Sequence, residues 1–206
     1  EEIMEDLKEK RGIKLDTEFT VQDLKILVKH FKDAVKKRTG LDFPTNPWDQ
    51  LWGAVIAVFN SWNGHRAIYY RHMHGYPDDW GTAVSVQAMV YGNMGNQSGT
   101  GVCFSRDAAT GEDQFNGEYL INAQGEDVVS GARTPQQITK LGSVGWAKLA
   151  KVDEADRIEN YPSLEELMPE IYKELNEYQQ KLEDHCRDMQ DMEFTIQEGK
   201  LWMLLT

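Results

Sequence analysis

The sequence predicts an α+β fold. Three observations carry this: helical spacing of apolar residues in its first sixty positions, short apolar runs bounded by Gly and Asn in its middle, and a helix followed by a hairpin at its end. The composition agrees, since 40% hydrophobic and 27% charged residues can build a core and exclude a disordered chain.

The first 16 residues are charged, with Ile3, Met4 and Leu7 on one side, and predict a short helix before Gly12. Thr20 is placed to N-cap a second helix carrying Leu24, Leu27, Val28, Phe31 and Val35, with Gly40 as its stop. Lys25, Lys29, Lys32, Lys36, Lys37 and Arg38 make this segment basic within an acidic chain, a pattern usual for a solvated face. Asn46 and Pro47 then read as an N-cap and a first-turn residue. Trp48, Leu51, Trp52, Val55 and Phe59 follow at i, i+3, i+4, i+7 and i+11, a bulky apolar face expected to be core.

From residue 66 the texture changes. Residues 67–71, 82–91, 101–105 and 119–122 read as strands bounded by Gly, Asn, Asp and Pro. Residues 140–162 have no clear period and read as a loop or insertion. Ser163 is placed to cap a helix carrying Leu164, Met168, Ile171, Tyr172, Leu175, Tyr178 and Leu182. Residues 191–196 and 201–205 read as a hairpin around Gln197-Glu198-Gly199-Lys200.

Charge and cysteine usage narrow the function classes. Twenty-two basic against 34 acidic residues leave a net charge of −12, which argues against nucleic acid as a partner but not against a nucleotide ligand. Cys103 and Cys186 are too few for a disulfide scaffold and lack partners at zinc spacing. No apolar run approaches the roughly 20 residues that cross a bilayer, so no membrane partner is expected. The sequence starts at Glu1 and stops in an apolar run, and is expected to be a piece of a longer polypeptide.

Four patterns carry chemistry. Asp191 and Glu193 share one face of a predicted strand, with Met192, Phe194 and Ile196 on the other; two such carboxylates fit either a Mg²⁺ site or the solvated face of an edge hairpin. The glycine-rich segment 92–101 fits either a backbone cradle for phosphate or a plain hairpin, and matches neither a Walker loop nor a Rossmann fingerprint. Gln124, Glu126 and Asp127 either line a site or end a strand. His72 and His74 would share a strand face as a metal pair, but Gly75, Pro77 and two aspartates follow at once, which favours a surface turn. Cys103, between Val102 and Phe104, is expected in the core.

Several stretches in order resemble the nucleotide-binding part of the pyruvate phosphate dikinase family. They include 57–62 with Arg66-Ala67-Ile68, 87–93, Ser98-Gly99-Thr100-Gly101-Val102, 117–129, Arg133-Thr134-Pro135-Gln136 and 187–195. The resemblance spans roughly 20–140 and 163–206. It implies an ATP-grasp-type lobe at 45–206, preceded by a small helical subdomain at 1–44. It also implies an enzyme that converts ATP, phosphate and pyruvate to AMP, pyrophosphate and phosphoenolpyruvate, through a histidine on a separate carrier domain. By the same resemblance Gln87, Met89 and Val90 lie along the adenine, Thr100 and Gly101 belong to the phosphate loop, and Asp191 and Glu193 hold Mg²⁺. None of His30, His65, His72, His74 or His185 matches the carrier motif, so no catalytic residue is expected here and this stretch alone is expected to be inactive. The family's Gln-Thr-Arg after the hairpin meets Leu205 and Thr206 here. A homodimeric, cytoplasmic or organellar parent is implied. Leu205 and the basic helix motivate the alternative, a non-catalytic regulatory or docking module on the same scaffold.

Overall fold

A computed structural model describes residues 2–14, 16–131 and 133–206. Glu1 and Leu15, within the predicted opening helical segment, lie outside the described residues, as does the side chain of Val129 in the segment 117–129. The chain separates into two units, residues 1–86 and 87–206.

The first unit is helical. Helix α1 (Glu2–Arg11) is followed by a 3-10 turn and by α2 (Val21–Thr39). Thr20 caps α2 as expected: its hydroxyl accepts the Asp23 N–H at 3.2 Å while Asp23 accepts the Thr20 N–H at 3.1 Å. Gly40 ends the helix at φ 75°, a left-handed conformation that costs glycine little. Helix α3 (Pro47–Ser61) starts under Asn46, whose side chain accepts the Trp48 N–H at 2.9 Å. Its apolar face is not core, however. No residue of α3 is buried, and Trp48 and Trp52 are 68% and 59% exposed.

Two expected strands are absent. Residues 67–71 belong to helix α4 (His65–His74), bracketed by Gly64 and a left-handed Gly75. Ile68, Tyr69 and Tyr70 imitate a strand over five positions, but the ten-residue segment also holds the helix formers Ala67, Arg71 and Met73. His72 and His74 therefore sit in the last turn of a helix, with His72 3.4 Å from Asp78 and His74 tilted against Tyr70 and stacked with Tyr76. Buried Arg71 organises this region: it donates to the Trp62 carbonyl at 2.6 Å and to Asp78 at 2.9 Å, and lies 4.1 Å over the Trp62 ring. Residues 82–91 form no strand among the described residues. Their sequence suits an extended backbone, but a strand also needs a ladder partner, which local pattern does not supply.

The second unit is built on a five-stranded antiparallel sheet. Strands β1 (Gly99–Phe104) and β2 (Asn116–Ile121) precede helix α5 (Gly125–Ser130) and the short β3 (Gln136–Gln137). Helices α6 (Lys140–Ala150), α7 (Glu154–Asn160), α8 (Leu164–Leu167) and α9 (Pro169–Cys186) follow. The hairpin β4 (Asp191–Gln197) and β5 (Lys200–Leu205) closes the unit. The strand order is β3-β2-β1-β4-β5, with every pairing antiparallel. One sheet face carries Cys103, Tyr119, Met192, Phe194, Ile196 and Leu201 against Leu164, Ile171 and Leu175 of the helices. Burial holds the Cys103 thiol as a core group and pushes its pKa up to about 12, with the Asp191 charge adding to the effect.

Residues 140–162 are two helices, not a loop. Gly142, Ser143 and Gly145 dilute the apolar period there, so the helix signal is weak in sequence. Fully buried Arg157 ties the segment down: it meets Glu154 and Glu166 at 2.8 Å and the Ser143 hydroxyl at 2.9 Å. These bonds hold the Glu166 carboxyl near pKa 2. Ser163 caps a helix as expected, but α8 stops at Leu167 and α9 begins at Pro169. Proline suits a first turn because its missing N–H is not needed there.

Candidate functional site

Alternation along β4 sorts its side chains. Met192, Phe194 and Ile196 are fully buried on the helix-covered face, while Asp191 and Glu193 are exposed on the opposite one. Thr195 and Gln197 follow on that same face. Strand β1 presents Thr100 and Val102 beside them, since Thr100 pairs with Thr195 and Val102 with Glu193. Helix α5 covers the far side through Val128, which packs with Leu120, Ala123 and Val102.

These elements enclose a cleft of about 670 Å³. Of the residues expected at a nucleotide site, Met89, Val90, Thr100, Gly101 and Glu193 line it. Gln87 and Asp191 do not, although Asp191 shares the strand face of Glu193. The lining also includes Gln124 and Glu126, from the segment read as either site or strand end. Val102, Gly125, Val128, Thr195 and Leu204 line the cleft as well; none of them is singled out as a site residue by the sequence. Strand alternation from Thr100 and Glu193 would have found Val102 and Thr195. Leu204 was hidden, because an irregularity in the β4–β5 register between Glu193 and Phe194 sets its orientation.

The cleft lining is mixed. Met89, Val90, Val102, Val128 and Leu204 supply apolar wall; Thr100, Thr195, Gln124, Glu126 and Glu193 supply polar groups. On the floor the buried Thr100 hydroxyl donates to the Phe194 carbonyl at 3.1 Å and lies 3.3 Å from the Thr195 hydroxyl. With its proton committed to Phe194, Thr100 is the acceptor from Thr195. Thr100 and Gly101 lie inside β1, and Gly101 is constrained from the core side. A Cβ there would sit 2.5 Å from both the Glu118 carbonyl and the Phe194 ring.

The glycine-rich stretch before β1 is a pinned turn. The Ala123 N–H donates to the Gly92 carbonyl at 3.0 Å, and a Cβ on Gly92 would stand 2.3 Å from the Ala123 carbonyl. The Gly95 N–H donates to the Asn122 side chain at 3.1 Å and the Ser98 N–H to the Gly95 carbonyl at 3.0 Å. These two amides are committed to protein acceptors.

Asp191 and Glu193 suit a hard divalent cation. Among the described residues neither is held by a cationic side chain. No group of three or more His, Cys, Asp or Glu gathers for a metal among the described residues. A pair of carboxylates still fits Mg²⁺, which takes one or two protein carboxylates and completes its shell with phosphate oxygens and water. Zinc, which prefers four nitrogen and sulfur ligands, does not suit this donor set.

Residues 3–206 match the family described as pyruvate phosphate dikinase, AMP/ATP-binding domain. The chain is 52% identical over 206 residues to a pyruvate, phosphate dikinase of Rhizobium meliloti (strain 1021), covering 100% of this chain and 22% of the relative. It is 51% identical to the pyruvate, phosphate dikinase of Clostridium symbiosum, over 100% of this chain and 21% of that protein. It is 47% identical to the chloroplastic pyruvate, phosphate dikinase 1 of Zea mays, over 99% of this chain and 19% of that one. The chain thus spans about a fifth of the length of these curated relatives.

Proposed function

From a chain that belongs to the pyruvate phosphate dikinase, AMP/ATP-binding domain family, we propose that the cleft on the open face of the sheet is one side of a nucleotide clamp in a phosphotransferase. The observation that carries this reading is the convergence of Met89, Val90, Thr100, Gly101 and Glu193, from three separate segments, on one cleft. In this reading the lobe is 45–206 and 1–44 is a helical appendage.

The residues divide the work by chemistry. Met89 and Val90 offer apolar side chains and peptide groups to a flat base, with Gln87 beside them on the same segment. Thr100 and Gly101 face the phosphates from the floor, while Asp191 and Glu193 hold Mg²⁺ at the far end of the strand face. A Mg²⁺ ion there supplies charge neutralisation for a triphosphate. The protein's contribution is positioning, which phosphoryl transfer needs more than covalent help. The proposal extends to the longer protein. There the phosphoryl group goes from ATP to a histidine on a carrier domain, then to pyruvate, in a homodimer located in the cytoplasm or an organelle. Among the described residues no helix is long and apolar enough to cross a membrane.

The test uses the full-length protein that contains these residues. Asp191→Asn and Glu193→Gln are each expected to lower ATP-dependent histidine phosphorylation by at least about 100-fold, with the circular dichroism spectrum unchanged. Undiminished phosphorylation in both variants overturns the assignment and favours a docking module.

A further inference from the structure

We propose that Gln197 is a positioning residue for the base end of the cleft, holding the 87–91 segment at a set height over the sheet. The inference rests on the nucleotide reading above. Its ground is geometric. The Tyr91 N–H donates to Gln197 Oε1 at 2.8 Å. Among the described residues this is the hydrogen bond that ties 87–91 to the sheet, and the peptide groups of Met89 and Val90 make none of their own. Both residues line the cleft, and this side-chain amide, next to the Ala123–Gly92 backbone bond, fixes the end of that wall.

Gln197 is well placed to act as a fixed post. It ends β4 at a two-residue turn in which Glu198 and Gly199 both have positive φ, 50° and 78°, the twist that suits a tight hairpin. The turn is itself anchored to the stretch that follows Tyr91. The Gly199 N–H donates to the Gln97 carbonyl at 2.8 Å and the Glu198 N–H to the Ser98 hydroxyl at 2.9 Å. On the opposite side the Asn122 N–H donates to the Ser98 carbonyl at 2.8 Å. The loop between the base segment and β1 is therefore clamped from two sides, and Gln197 extends the clamp one step further, to the segment that meets the ligand.

The strand face also sets the spacing. Glu193, Thr195 and Gln197 alternate along one face of β4, so Glu193 and Gln197 are four residues apart. At about 3.3 Å per residue that is about 13 Å, of the order needed between the base and the terminal phosphates of an extended nucleoside triphosphate. One strand thus carries a carboxylate for the phosphate end and the amide that places the wall at the base end.

The experiment measures equilibrium binding of Mg-ATP and of Mg-tripolyphosphate to the full-length protein by calorimetry. The proteins compared are wild type, Gln197→Leu, which removes the acceptor, and Gln197→Glu, which keeps it. Gln197→Leu is expected to weaken ATP about tenfold and to leave tripolyphosphate within about twofold, while Gln197→Glu keeps ATP affinity within about threefold. Hydrogen exchange supplies a readout independent of ligand: the Tyr91 amide should lose protection in the Leu variant while amides of β1 and β4 keep theirs. Unchanged ATP affinity or unchanged Tyr91 protection in Gln197→Leu overturns the proposal, and so does equal loss of both ligands. Wild type that binds tripolyphosphate but not ATP overturns the nucleotide reading itself, and this inference with it.

Discussion

The two units use similar apolar sequence to different ends. In 87–206, apolar side chains meet across a sheet: Tyr119, Phe194, Leu164 and Leu175 are all fully buried. In 1–86, α3 carries two Trp, an Ile and a Phe on one stripe and buries none of them. Apolar periodicity is a local property and specifies a helix in both units. Burial needs a second surface, which in 87–206 the sheet provides. An amphipathic pattern therefore predicts conformation more safely than it predicts enclosure.

Large-to-small substitution tests this contrast with the greatest effect. Phe194→Ala should destabilise 87–206 by about 3–5 kcal/mol, because it leaves a cavity in a closed core. Trp52→Ala in α3 should cost less than about 0.5 kcal/mol. Hydrogen-exchange protection read separately in each unit checks both values, and a Trp52 cost near that of Phe194 would show that α3 is enclosed after all.

Glycine replacement should separate the units by sign. Gly101→Ala forces a Cβ to 2.5 Å from the Glu118 carbonyl and the Phe194 ring, and is expected to cost about 1–3 kcal/mol. Gly53→Ala meets nothing within 4 Å in a helix interior and should stabilise by about 0.5–1 kcal/mol. Urea denaturation of the two variants, followed in each unit, reads both shifts.

A pH dependence of stability is also expected in 87–206, from Glu166. Glu166 is held near 2 against an ordinary 4.5, first by its bonds to Arg157 and then by those to Ser163. Its folded pKa is depressed, so the stability it contributes is present above pH 4.5 and is lost as pH falls toward 2. Allowing for screening of a partly exposed pair, the loss is roughly 1–2 kcal/mol. Glu166→Gln should be less stable at pH 7 and should show a flatter profile across that window. An unchanged slope in the variant would assign the acid sensitivity elsewhere.

The legible parts of the candidate site were those set by neighbours in sequence. Asp191 and Glu193 were placed on one strand face because alternation follows from backbone geometry alone. Their cleft was not legible, since Thr100, Leu204 and Val128 join Glu193 there only through strand pairing, an irregular register and helix docking. Residues 67–71 were misread because five residues are too few to separate periods of 2 and 3.6. Residues 140–162 were misread because Arg157, which ties them down, satisfies its charge with Glu166, nine positions away.

Sequence alone determined the α+β class, the caps at Thr20, Asn46 and Ser163, and the hairpin around Glu198-Gly199. Each depends on contacts within a few residues, where backbone hydrogen bonding and side-chain reach leave few alternatives. Tertiary structure decided which apolar faces are enclosed, that 82–91 stays unpaired, and that Met89, Thr100 and Glu193 border one space. Those outcomes depend on surfaces brought together across a hundred or so residues. Closing such distances is repaid only when many contacts form at once, and no local pattern specifies which surfaces will meet.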